Sequence, residues 1–115
     1  MSRRAPATSL QDIIEAIRRI GLYTQNMDYG RFIQDTRTQD AVIRNIEIIG
    51  EATKNISESV KKDNPSIPWR QIAGTRDRLI HEYFGINLDI VWNIIDQELP
   101  PLLEEIQKAL KKISD

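Results

Sequence analysis

Val42, Ile46, Ile49, Thr53, Ile56 and Val60 recur in alternating steps of four and three residues. Such steps return to one stripe of an α-helix, at about 100° per residue, whereas a strand would repeat with a period of two. The spacing predicts a long helix over residues 39–61 whose apolar stripe must be covered by other helices. Gly50 lies inside it, where glycine costs about 1 kcal/mol relative to alanine. Close approach of a neighbouring helix or subunit is the compensation expected there.

The remaining segments read the same way. Leu10, Ile13, Ile14, Ile17 and Ile20 share a helical face, and Thr8 with Gln11 forms a capping box, so a first helix is expected over residues 9–24 behind a flexible tail at 1–8. Tyr29, Phe32 and Ile33 mark a short helix within 28–36. Residues 63–68 hold a breaker cluster, after which Ser66 is expected to cap a helix over 68–83 with Pro68 in its first turn. Gly85 can end that helix and Asn87 can cap the next. Leu88, Val91, Trp92, Ile95, Leu99, Leu102, Leu103, Ile106, Leu110 and Ile113 then keep a helical period, interrupted by Pro100 and Pro101, which predicts a kink. The expected fold is all-α: one domain over 1–115, an up-and-down bundle of four to five helices with a kinked C-terminal helix.

Composition narrows the function. With 115 residues and a net charge of -1, nothing resembles the strongly basic profile common among single-domain nucleic-acid binders, so any RNA contact must be local or assembled from two subunits. Cysteine is absent, which excludes disulfides and thiolate metal sites and is compatible with a reducing cytosol. No apolar run approaches the ~18 residues of a membrane span. A soluble, unexported, cytoplasmic chain without metal or cofactor is expected.

The chemistry concentrates at Arg76-Asp77-Arg78-Leu79-Ile80-His81-Glu82-Tyr83, which contains the single histidine. Imidazole titrates near neutrality, and arginine presents a planar fork to phosphate oxygens at any working pH. On one ideal helix Asp77 and His81 share a face, while Arg76 and His81 lie about 140° apart. Convergence of the last two on one phosphate then requires side chains wrapping into a groove, or two copies of the helix facing each other in a symmetric dimer. The same residues also have a plain structural use, with Asp77 pairing to His81 or Arg78 and Tyr83 packing at a helix end.

The string R-x-x-x-x-H-x-Y, together with residues 44–52, 67–74, 83–85, Val91-Trp92 and 99–102, resembles the HepT-like toxins of the HEPN superfamily over about residues 10–110. That resemblance implies a metal-independent endoribonuclease, the toxin of a type VII-like HEPN/MNT toxin-antitoxin pair, active as a homodimer on RNA rather than DNA. It implies Arg76 and His81 as catalytic residues, with Asp77 orienting the imidazole. It further implies silencing by an MNT-type nucleotidyltransferase antitoxin, through AMP addition to Tyr83 or through sequestration. RNA scission by the adjacent 2'-hydroxyl needs a base, an acid and positive charge on the phosphorane, which histidine and arginine supply.

Other residues have competing uses. Glu47 and Glu51 can form a solvated array with Arg44 and Lys54, or Glu51 can cross to the motif helix and hold an arginine. Trp69 and Trp92 suit core or interface anchors better than base-stacking platforms. Lys108, Lys111 and Lys112 suit a solvated helix end. A noncatalytic helical module that binds a nucleotidyltransferase is the alternative function. A di-iron bundle needs Glu-x-x-His on two helices, which one histidine cannot supply, and a DNA-reading helix-turn-helix would lack a basic recognition helix.

Overall fold

The computed structural model describes residues 6–79 and 85–114. The described residues build an all-α fold: α1 (Pro6–Tyr23), α2 (Tyr29–Phe32), α3 (Thr36–Lys54), α4 (Glu58–Asp63), α5 (Trp69–Ala73), α6 (Thr75–Leu79), α7 (Leu88–Asn93) and α8 (Leu99–Ser114), with a π-helical turn, Ile94–Glu98, joining α7 to α8. Among them no helix is long and apolar enough to cross a membrane. The core forms where α1 packs along α3 and α8: Leu10, Ile13 and Ile20 of α1, Val42 and Ile46 of α3, and Ile106 of α8 are almost wholly buried. Each set is the apolar stripe of its helix, so burial follows directly from the spacing of those residues.

Local chemistry sets most helix ends. The described part of α1 starts at Pro6, so Thr8 is a helical residue rather than the expected cap and residues 6–8 are not a tail; proline's fixed φ and missing donor suit a first helical turn. Asp28 caps α2 by accepting from Arg31 N–H, and Asp35 caps α3 by accepting from Thr38 N–H. Asn26, at φ 63°, turns the chain between α1 and α2 in the left-handed region that asparagine tolerates.

The helix expected over 39–61 is two helices. α3 stops at Lys54, and Ser57 caps α4 by accepting from Val60 N–H at 3.4 Å. All six stripe residues are nonetheless buried, Ile56 in the turn and Val60 in α4. The apolar period survives because both helices line the same core, while the serine cap redirects the backbone between them. At the far end, Lys112 is not simply solvated: its Nζ donates to the Asp63 carbonyl at 3.0 Å and to Asn64 Oδ1 at 3.2 Å. A cation at the C-terminus of α4 complements carbonyls left without helical partners.

The helix expected over 68–83 is also divided, into α5 and α6 at Gly74. Ser66 does not cap it; Pro68 occupies the N-cap without a side-chain bond, and Ser66 Oγ donates to Glu105 Oε2 at 2.8 Å. Gly50 meets α5 as its helix-interior position suggested, since a β-carbon there would lie 3.6 Å from the Ile72 carbonyl and 3.7 Å from that of Ala73. Trp69 and Trp92 are packing anchors. Trp69 is buried and its Nε1 donates to the Asn64 carbonyl at 3.0 Å, while the Trp92 ring lies 5.3 Å from Phe32 and 6.2 Å from Tyr29.

Candidate active site: two arginines on one short helix

The described part of α6 spans Thr75–Leu79, and its attachments to neighbouring elements fix its direction. Thr75 and Leu79 are buried on one side, and Thr75 Oγ1 donates to the Ile72 carbonyl at 2.8 Å. Asp77 N–H donates to the Gly74 carbonyl at 3.0 Å, carrying the chain from α5 into α6. Asn87 N–H donates to the Leu79 carbonyl at 2.8 Å, which ties the start of α7 to α6. Gly85 there adopts φ +83°, a conformation that glycine takes without Cβ strain, and Asn87 caps α7 by accepting from Ile90 N–H.

Arg76 and Arg78, about 200° apart around the axis, meet different carboxylates. Arg76 faces α3, where its Nε lies 3.9 Å from Glu47 Oε2, and its side chain is 71% exposed. At that distance and exposure the pair is weak, and the guanidinium remains accessible to a phosphate. Arg78 faces the π-helical turn. Its two terminal nitrogens donate to the two Glu98 oxygens at 3.1 and 2.7 Å, and the side chains are 31% and 32% exposed. Asn93 Nδ2 also donates to Glu98 Oε2, at 3.2 Å. The hydrogen-bonded Glu98 carboxylate raises the Arg78 guanidinium above its ordinary pKa, against the opposing effect of burial.

The remaining sequence-derived residues are distributed around this helix. Asp77 is exposed in α6. Glu51 is ion-paired with Lys54 at 3.6 Å on the solvent side of α3, and it is Glu47 that faces Arg76. Both glutamates line a cleft of about 240 Å³ with Arg44 and with Asp12 of α1. His81 and Tyr83 lie outside the described residues. Across α6, Arg78 and Glu98 line an apolar groove of about 390 Å³ together with Ile49, Ile72, Leu99 and Leu102.

Glu47, Glu98 and Asn93 were not distinguished by sequence reasoning as partners of the motif arginines. For Glu47 the signal was Gly50: this glycine marks the line where α5 touches α3, and Glu47 sits about 60° from it around the helix, whereas Glu51 sits about 100° away. For Glu98 the signal was Pro100-Pro101. Neither proline has an N–H to give the carbonyls of Asp96 and Gln97, and the backbone answers with a π turn in which Leu99 N–H donates to Ile94 C=O.

An all-α domain that presents an exposed arginine from the R-x-x-x-x-H motif helix is the arrangement found here, and comparison with known proteins specifies its family. A family profile described as ribonuclease HepT-like matches residues 13–109, and the chain belongs to this HepT-like family of the HEPN superfamily. A Methanocaldococcus jannaschii protein named "Putative RNase MJ0127" is 41% identical over 113 residues, 98% of this chain and 93% of that protein. A Thermococcus cleftensis protein named "Probable ribonuclease HepT" is 42% identical over 109 residues, 95% of this chain and 99% of the relative. One from Caldanaerobacter subterraneus subsp. tengcongensis, named "Putative RNase TTE0752", is 35% identical over 109 residues, 95% and 97% of the two chains. No solved structure matches the chain.

Proposed function

We propose that this protein is a metal-independent endoribonuclease, the toxin of a type VII-like HEPN/MNT toxin-antitoxin pair that acts in the cytoplasm. The observation that carries the reading is Arg76: a motif arginine 71% exposed whose one ion-pair contact among the described residues is at 3.9 Å to Glu47, within a chain that matches the ribonuclease HepT-like family over residues 13–109. His81 takes the 2'-hydroxyl proton and returns one to the departing 5'-oxygen, while Arg76 stabilises the charge that develops on the phosphorane. Asp77 is the residue proposed to orient the imidazole. Glu47 steadies Arg76 between turnovers, the role that one of the two sequence readings gave to Glu51.

Two copies of the chain complete the site, because a helical continuation would set Arg76 and His81 about 140° apart, and a two-fold axis brings the arginine of one copy to the histidine of the other. An MNT-type nucleotidyltransferase is the proposed antitoxin, with Tyr83 as the acceptor of AMP, whose phosphate would add negative charge beside the scissile phosphate. The test is RNA cleavage in EDTA by wild type, Arg76→Ala and His81→Ala. Cleavage by wild type and its loss in both variants is expected; intact RNA with wild type, or equal cutting by the variants, overturns the reading. Sedimentation checks the dimer, and a mass gain of one adenylyl group that disappears in Tyr83→Phe checks the modification.

A further inference from the structure

We infer that Arg78 is a positioning residue rather than an RNA contact: Glu98, itself held by Asn93, clamps it, and the clamp sets the rotation of α6 and hence the direction in which Arg76 leaves the helix. The inference rests on the ribonuclease reading and adds to it a residue that charge alone would assign to phosphate. An arginine inside a nuclease motif is the natural candidate for a backbone contact. Here its fork is already occupied by both oxygens of one carboxylate, at 3.1 and 2.7 Å, and transfer to RNA would leave Glu98, only 32% exposed, without its cation. Arg76, at 3.9 Å from its carboxylate, carries no such penalty.

The clamp depends on the π turn. Asn93 and Glu98 are five residues apart, which would place them about 140° from one another on an uninterrupted α-helix. The extra residue in the π turn narrows that angle, and the two side chains meet at 3.2 Å. Pro100 and Pro101 remove the donors that would restore α-helical bonding there. A proline-maintained irregularity in one helix thereby presents a preformed acceptor to another. An aligning contact of this kind at Arg78, two residues from Arg76 in α6, decides where Arg76 points.

The experiment compares wild type, Arg78→Met, Glu98→Gln and the exchanged pair Arg78→Glu with Glu98→Arg, reading kcat and KM for RNA cleavage, the salt dependence of KM, and amide hydrogen exchange in α6. Each single variant is expected to lower kcat by about tenfold to a hundredfold, the scale of a misaligned catalytic group, with KM changed by less than about threefold. The exchanged pair should recover most of the lost kcat. A raised KM with kcat retained, a flatter salt dependence, or no recovery in the exchanged pair would make Arg78 an RNA contact and overturn the inference, as would unchanged kcat in both single variants. Should Arg78→Met fail to fold, the isosteric Glu98→Gln carries the test. If wild type cuts no RNA, the ribonuclease reading fails separately. Faster exchange of α6 amides in the single variants and its reversal in the exchanged pair would then support the clamp, and unchanged exchange would refute it.

Discussion

Arg76 and Arg78 share one helix and the same formal charge, yet the α3 side of that helix leaves its arginine exposed while the π-turn side engages its own in a two-bond pair. Glu47 approaches Arg76 singly, at 3.9 Å from a regular helix face; Glu98 meets Arg78 with both oxygens from a distorted turn and accepts from Asn93 as well. The difference teaches that charge in a motif does not by itself indicate function. What separates a group able to bind substrate from one that aligns it is how much of its hydrogen-bonding capacity the fold has already used. A bidentate, half-buried pair is costly to open, whereas an exposed single contact is worth little.

Removal of the open arginine should have the largest effect. Arg76→Ala is expected to lower RNA cleavage about 10²- to 10³-fold, the scale for loss of one charge-stabilising donor, while the thermal midpoint stays within error because the side chain is exposed. Single-turnover cleavage beside a melting curve reads both, and a fall below about tenfold would erase the contrast between the two sides.

The π-turn side can be loosened from behind. Trp92 seats α7 against Phe32 and Tyr29, and Tyr29 donates its hydroxyl to Asp89, which raises the phenol's pKa. Trp92→Ala is expected to cost about 2 kcal/mol, below the range for a fully buried tryptophan because the ring is half-buried. Urea unfolding measures it, and a loss below about 0.5 kcal/mol would mean that α7 is held elsewhere.

The α3 side offers a gentler probe. A β-carbon at Gly50 would make ordinary contacts at 3.6 and 3.7 Å, so Gly50→Ala should gain up to about 1 kcal/mol from helix propensity, with activity retained. Marked destabilisation would show the α3–α5 approach to be tighter than these distances. Gly50→Leu should push α5 away, and α6 with it.

The smallest expected effect is on pH. Asp35 caps α3, and bonding to Thr38 holds its carboxyl below the ordinary 3.8. Its contribution is therefore complete above that value and is lost as pH falls through the lower folded value. Asp35→Asn keeps a capping side chain but not the titration. The fall in melting temperature between pH 6 and about pH 3 should be slightly shallower in the variant, and identical curves would remove Asp35 from the acid response.

Much of the fold was legible because its signals are local. The stripes of α1, α3 and α8 read directly from their spacing, and Asn87 serves its expected cap. The break after Lys54 was hidden because the buried period continues through Ile56 and Val60, so an apolar pattern that belongs to two helices looked like one. The division at Gly74 was hidden because a glycine inside a helical pattern does not by itself declare a boundary. Of the site, the chemical types of the motif residues were legible in the sequence, whereas the choice between Glu47 and Glu51 depended on the rotation of α3 against α5.

By itself, the amino-acid sequence determined the all-α class, the core-facing stripe of each long helix, the Asn87 cap of α7, and the chemical types gathered in the motif. These are properties of residues within a few positions of one another on a single element. The tertiary structure alone decided which carboxylate meets which arginine. Those pairings join residues far apart in the chain, Arg76 to Glu47 and Arg78 to Glu98, and depend on how core packing rotates one helix against the next.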